Sequence, residues 1–283
     1  MNICLIMDNP ETPRHPVIAV ALQQLSTRHN VRLFDVRTLT GTEAIIQEEA
    51  RNQPLADIYL LKSHAPQALD LALHLEKQGA LVVNSWASSM ACQDRVLMAQ
   101  RMNENHLPWP HTQSFPSLND LLAQPELVAA LAFPLIIKSY FSHRGDLVDK
   151  VRSSEELRNL AGQWGQEPIV LQEFAAGDGW DIKLWVIDRQ IFAARRRTPL
   201  DPGAPKEDHP VSTEELPEEW ARITLEIGHA FNLRLYGVDL LISERGPIIV
   251  DVNSFPGFRG VPGADRALAD LVERLLAERQ ATV

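Results

Sequence analysis

Apolar and polar positions along this chain follow two periods. Residues 2–7, 31–36, 58–62 and 81–84 are short apolar runs of the kind that form buried strands, whereas 16–27 and 66–78 carry apolar residues at helical spacing. Strand and helix taking turns predicts a small doubly wound α/β lobe over residues 1–90. No Gly-x-Gly-x-x-Gly follows the first strand, so the dinucleotide fingerprint is absent.

The pattern changes after residue 88. Residues 88–105 read as one helix carrying Asp94 and Arg95, and Leu107-Pro108-Trp109-Pro110 ends it as a hinge between lobes. A second helix at 117–130, a buried strand at 133–138, a loop over 139–151, a helix at 155–164 and a strand at 169–174 follow. A Gly-rich bend at 175–181 leads into strands 182–187 and 190–197, joined by a tight turn at Asp188-Arg189. Residues 201–219, rich in Pro, Asp and Glu, predict a mobile acidic lid, and 217–232 and 264–279 return to helix. At 283 residues the chain divides into an N-terminal α/β lobe (1–90), a central lobe (91–168) and a C-terminal lobe (169–283).

The chemistry concentrates in residues 236–263, YGVDLLISERGPIIVDVNSFPGFRGVPG, which read as a hairpin turning at Ser243-Glu244-Arg245-Gly246. Side chains alternate faces along a strand, so Asp251 and Asn253 share one face, and the paired strand brings Asp239 to the same side. Three oxygen donors without His or Cys suit Mg²⁺ or Mn²⁺ held together with a nucleotide's phosphates. Acids within apolar strands are costly unless paired or coordinated, which favours a cation over solvated strand ends.

Composition narrows the partners. A net charge of −10 and a pI near 5.4 argue against broad binding to nucleic acid or to an anionic membrane. Cys4 and Cys92 form neither a disulfide framework nor a metal spacing, and the opening MNICLIMD lacks a basic leader, so a reducing cytoplasm is expected. Lys62 ends a strand of the first sheet, and Lys138 ends a buried strand with its ammonium free to grip a phosphate. Of Arg195, Arg196 and Arg197, the first and third point one way and the second the other. No His-Glu-x-x-His, Gly-x-Ser-x-Gly or Gly-x-x-x-x-Gly-Lys is present, which sets aside zinc protease, serine hydrolase and P-loop enzyme.

Taken in order, PLIIK, IVLQEF, GWDIKLWVI, FAARRR, YGVDLL and IIVDVNSFPG over residues 90–275 resemble the ATP-grasp superfamily, whose N-terminal Rossmann-like lobe also fits residues 1–90. The resemblance implies ATP between two α+β lobes, with phosphates bridged by Mg²⁺. By position, Arg95 and Lys138 resemble its basic phosphate contacts. Gln172, Glu173 and Phe174 resemble the segment that meets adenine, Asp178 or Asp181 falls near the ribose, and Asp239, Asp251 and Asn253 match the metal ligands.

Two branches of the superfamily are implied. Gly179-Trp180-Asp181-Ile182-Lys183 resembles the Gly-x-Asp-Ile-Arg of RimK-like carboxylate–amine ligases, in which Arg197, or Arg196 in the other register, would stabilise the tetrahedral intermediate. The Asp-x-Asn of residues 251–253, with Lys62 and Lys183, resembles instead the inositol trisphosphate 5/6-kinases. Lys62, His143, Arg144 and Arg259 are expected around the acceptor in either case: a small-molecule carboxylate with its amine, or a polyol phosphate. Self-association is left open.

Overall fold

The computed structural model describes residues 1–38, 42–51, 55–142, 145–197, 209–212 and 215–282. The first sheet is built from β1 (Asn2–Met7), β2 (Asn30–Asp35), β3 (Ile58–Lys62) and β4 (Val82–Val83), all parallel in the order β2-β1-β3-β4. Helices α1 (Pro16–Ser26), α2 (Thr42–Arg51) and α3 (Pro66–Lys77) connect them. Ile3, Leu5, Ile58 and Leu60 face one side and Cys4, Ile6, Tyr59 and Leu61 the other, so both faces are buried, as parallel strands require.

The single helix expected over 88–105 is two: α4 (Trp86–Gln93) and α5 (Arg95–Glu104). Asp94 breaks it, because its extended backbone (ψ 105°) frees the carboxylate to accept from the amides of Val96 and Leu97, both at 2.9 Å, and so cap α5. Arg95 thereby becomes the first residue of a new helix aimed at the second sheet.

That sheet contains β5 (Thr112–Phe115), β6 (Leu135–Ser139), β7 (Val148–Val151) and β8 (Ile169–Glu173), antiparallel in the order β5-β8-β6-β7. The 117–130 helix is likewise two short ones, α6 (Leu118–Leu122) and α7 (Pro125–Ala129), and 155–164 divides into α8 (Ser154–Asn159) and α9 (Ala161–Trp164). Pro125 starts α7 at the place where Pro is tolerated. The end of the expected loop over 139–151 is strand β7.

The third sheet runs β11-β10-β9-β12-β13, with β9 (Gly177–Ile187), β10 (Gln190–Arg197), β11 (His209–Val211), β12 (Leu235–Ser243) and β13 (Gly246–Asn253). Strand β9 starts at Gly177, so the expected Gly-rich bend is mostly strand. Of the expected acidic lid, residues 201–208, 213 and 214 lie outside the described residues. Helix α10 (Glu218–Phe231) precedes β12 and ends on Asn232 in the left-handed conformation, φ 52°.

Alternation along β9 divides this sheet into two faces. Ile182, Leu184 and Val186 are buried beneath α4, α5 and α10. Trp185 and Ile187 point the other way, into a core shared with the first sheet, α1 and the closing helix α11 (Ala264–Thr282). Asp181 and Lys183 lie on that second face beyond this cover, so the face is apolar where the N-terminal sheet covers it and ionic where it opens.

Candidate active site

The site is built on the pairing of β9, β12 and β13. Asp239 on β12 stands opposite Asp251 on β13 and, on its other side, opposite Lys183 on β9; Gly237 is opposite Asn253. Strand β13 bulges at Val250, since Asp239 pairs with Asp251 but Leu240 pairs with Ile249. The Val250 carbonyl accepts the Lys138 Nζ at 2.9 Å, which ties the end of β6 to the metal-type hairpin.

Charges of both signs interlock here. Lys183 Nζ donates to Asp239 at 2.8 Å and Arg196 to its other oxygen at 3.3 Å, and Arg196 Nε lies 4.0 Å from Asp181. Burial pushes the Asp239 carboxyl up, but Lys183 and Arg196 outweigh it and hold the group below the usual carboxylate range. Asp251 goes the other way: burial raises it, the pull of Lys138 does not compensate, and the neighbouring Asp239 adds repulsion. Burial also lowers Lys138 to about 8.

Around these groups lies a cavity of about 180 Å³, lined by Arg95, Lys138, Gln172, Glu173, Phe174, Asp181, Arg196, Asp239 and Asp251, with Ile136, Val148 and Leu241 among its apolar walls. Arg95 is buried and donates to the Ser139 carbonyl at 2.6 Å and to Asp146 at 2.7 Å. Glu173 is exposed and bonded to Arg245 of the β12–β13 turn at 2.6 Å, a clasp across the cavity mouth. The Lys150 ammonium lies 3.4 Å from the Phe174 ring centroid.

Of the arginine triplet, Arg196 faces the cavity. Arg195 and Arg197 are on the opposite face, with guanidinium carbons 4.8 and 4.2 Å from the Trp180 ring centroid. Of the two arginines the resemblance allows, Arg197 points away from the cavity and Arg196 into it, because antiparallel pairing sets Arg196 opposite Asp181. Asp178 is exposed and bonded to Arg195, whereas Asp181 is buried in the cavity floor.

A second, polar pocket of about 280 Å³ adjoins Asn253 and is lined by Asp8, Asn9, Thr12, Lys62, His64 and Ser142. Lys62 donates to the Phe255 carbonyl, and burial lowers its pKa to about 8 against the opposing pull of Asp8. Burial and Lys62 also lower His64. His143 and Arg144 lie outside the described residues; Arg259 is exposed on the loop after β13 and lines neither pocket. Asp8 and Arg245 were not singled out from sequence. Asp8 directly follows the first strand, at the carboxyl edge where such sheets receive ligands, and that was its signal.

Among the described residues, no helix is long and apolar enough to cross a membrane, and none of the His, Cys, Asp and Glu side chains gather in threes as a metal site. The oxygen set here is two carboxylates and one amide, Asp239, Asp251 and Asn253.

Comparison with known proteins gives a consistent picture. The chain is 27% identical to a probable alpha-L-glutamate ligase of Rhodopirellula baltica over 197 residues, 68% of this chain and 48% of that protein. It is 24% identical to N-acetylaspartylglutamate synthase A of Homo sapiens over 241 residues, 79% of this chain and 61% of that one. The chain therefore spans about half to under two thirds of these relatives. Among solved structures, a RimK domain ATP-grasp protein from Sphaerobacter thermophilus superposes with a TM-score of 0.75 at 17% identity, covering 96% of this chain and 99% of the other. D-alanine–D-alanine ligase from Bacillus anthracis complexed with ATP gives 0.74 at 18%, covering both chains fully. These two share the fold. The RimK-like ATP-grasp domain family matches residues 92–272, from the end of α4 through the first half of α11, and the chain belongs to that family.

Proposed function

We propose that the protein is an ATP-dependent carboxylate–amine ligase of the RimK-like type that works through an acyl phosphate. The observation that carries this reading is the end of β13, which borders two pockets: Asp251 lines the cavity with Lys138, Arg95 and Arg196, and Asn253, two residues on, lines the polar pocket with Lys62 and Asp8. A nucleotide's last phosphate in the first then meets a carboxylate in the second.

The residues fit ATP. Arg95 Nε and Arg196 Nε are buried and have no hydrogen-bond partner among the described residues, which leaves one donor for a phosphate oxygen and one for the oxyanion of acyl transfer. The edge of Gln172–Phe174 and the apolar Ile136, Val148 and Leu241 suit a planar base. The residues also fit a divalent cation: Asp251 is half-buried with too little positive charge nearby, and a cation held by Asp239, Asp251 and Asn253 supplies it. Bound Mg²⁺ would neutralise phosphate charge as the γ-phosphoryl group transfers.

In the first step a carboxylate oxygen attacks the γ-phosphorus, its bond to the β,γ-bridging oxygen breaks, and ADP leaves. Lys138 and Arg95 hold the phosphates, while Lys62 orients the carboxylate. In the second step an amine nitrogen bonds to the acyl carbon, the carbon–oxygen bond to phosphate breaks, and inorganic phosphate leaves. The amine's surplus proton passes to solvent. Arg196, and Lys183 beside it, stabilise the oxyanion that forms between these events.

The polyol phosphate kinase reading is less well supported. Such an enzyme needs several cations around its acceptor, and among the described residues Lys62 is the one lysine or arginine lining the polar pocket, beside the acidic Asp8. The relatives named above are ligases or synthases by name. Both thiols are buried and free, in keeping with a cytoplasmic setting.

Hydroxylamine trapping tests the proposal. With ATP, Mg²⁺ and L-glutamate, L-aspartate or N-acetyl-L-aspartate, a ligase yields a hydroxamate. A phosphate ester from a polyol phosphate, with no hydroxamate, would refute it.

A further inference from the structure

The face of the third sheet that carries Lys183 and Arg196 continues past them into an apolar cavity of about 250 Å³. Trp185, Phe192, Ala194, Pro210, Val211 and Val261 line it. Ala194 pairs directly with Lys183, and Trp185 follows two residues along β9, so the cavity opens one step from the catalytic cations. The Lys183 ammonium lies 6.0 Å from the Trp185 ring centroid. Trp185 is held in place by its Nε1 donating to the Gly257 carbonyl at 2.9 Å, in the loop that follows Asn253.

The space exists because short side chains stand where longer ones would fill it. Ala194 and Gly260 form part of the wall, and residues 260–262 and β11 line the cavity together. No charged side chain lines the cavity among the described residues, in contrast to the polar pocket with Lys62 and Asp8. An apolar cavity of roughly 150 Å³ already accommodates a benzene ring, so this one has room for a leucine or phenylalanine side chain.

Building on the ligase reading, we propose that this cavity receives the aliphatic or aromatic side chain of an α-amino acid that serves as the amine. The carboxylate substrate occupies the polar pocket by Lys62 and Asp8. The amino acid approaches from the opposite side, with its side chain against Trp185 and Phe192 and its nitrogen directed at the acyl carbon, whose oxygen Lys183 and Arg196 face. An acidic side chain finds no partner there and is discriminated against, since a buried charge without a counter-charge is costly. The substrate class thus differs from the glutamate in the names of the relatives.

The test compares amines. The full chain is given ATP, Mg²⁺ and whichever carboxylate forms a hydroxamate, then L-leucine, L-phenylalanine, glycine or L-glutamate in place of hydroxylamine. Amide formation with leucine or phenylalanine is expected to exceed that with glutamate by at least tenfold, within the range a hydrophobic pocket supplies. Ala194→Phe is expected to lower the leucine-to-hydroxylamine product ratio at least tenfold, and Phe192→Ala to shift preference toward phenylalanine. Saturation-transfer NMR with leucine and glutamate, on protein loaded with Mg²⁺ and a non-hydrolysable ATP analogue, reads the cavity without turnover. Hydroxamate formation with no amino-acid preference, or a preference and leucine signal that neither variant moves, would overturn the side-chain pocket and leave the ligase intact. Absence of any hydroxamate together with a persistent leucine signal, abolished by Ala194→Phe, would overturn the ligase chemistry and retain the pocket.

Discussion

Replacing Lys138 by Met keeps an unbranched stem in the core and removes the ammonium, which makes opposite predictions for stability and for binding. In the nucleotide-free protein Lys138 is buried at the end of β6, and burial lowers its pKa from 10.5 to about 8 although Asp251 and Asp239 pull the other way. At 1.36 kcal/mol per pKa unit, keeping that ammonium charged costs the fold about 3 kcal/mol. Loss of its bond to the Val250 carbonyl removes about 1 kcal/mol of stabilisation. The variant is therefore expected to be more stable by roughly 2 kcal/mol at pH 7, a rise of several degrees in melting temperature.

The pH dependence follows from the sign of the shift. The folded value lies below the unfolded one, so the cost is at full size below about pH 8, shrinks as pH rises and is gone above 10.5. The stability advantage of Lys138→Met should accordingly fade by pH 9.5. Nucleotide affinity moves the other way, because the variant loses a charge-assisted bond to phosphate worth about 1.5–3 kcal/mol, or roughly ten- to a hundredfold in Kd. Scanning calorimetry at pH 7 and 9.5, with calorimetric titration of a Mg²⁺-bound ATP analogue, measures both. A variant that melts lower at pH 7 and binds nucleotide unchanged would refute the reasoning.

Three further substitutions test the rest of the site. Asp251→Asn should abolish turnover and the divalent-ion dependence of nucleotide binding without loss of fold, since burial already favours the uncharged side chain; titration with and without Mg²⁺ checks it, and near-normal turnover would contradict it. Arg196→Ala is expected to slow amide formation by about 10²–10³-fold, the magnitude typical of a lost oxyanion donor, while Arg197→Ala stays within a few-fold. Lys62 is charged below its pKa of about 8, so the KM for the carboxylate should climb as pH rises through 8, and Lys62→Met should flatten that limb; a flat wild-type profile would remove Lys62 from the acceptor site.

What the sequence reveals here depends on how local the cause is. The hairpin of β12 and β13 is legible because two alternating apolar runs flank a tight turn, and the acids stand out against them. Asp94 was not legible as a break: the surrounding residues favour helix, and the cap forms only because Arg95 must turn toward Tyr140, Ser139 and Asp146, up to 51 positions away. Strands β5 and β7 escaped for another reason. They are edge strands of four residues in which half the side chains are exposed and one of the eight is buried, so burial imprints little pattern on them. The bond from Lys62 to Phe255 joins elements 193 positions apart, and nothing nearby in the chain announces it.

The arginine triplet lies between these extremes. Alternation alone separates Arg196 from its neighbours without saying which face is the active one, and reading by resemblance favoured Arg197. The turn at Asp188-Arg189 carries the missing information. A two-residue turn sets Ile187 opposite Gln190, and counting outward along both strands pairs Ala194 with Lys183 and Arg196 with Asp181. Lys183 in turn faces Asp239, so the acidic hairpin selects the face, and the turn selects the arginine. If Arg196 acts as proposed, the register of this hairpin is a functional determinant: a one-residue register shift at Asp188-Arg189 would turn Arg195 and Arg197 toward the acids and carry Arg196 away, a change that leaves the arginine motif untouched and removes the proposed oxyanion donor.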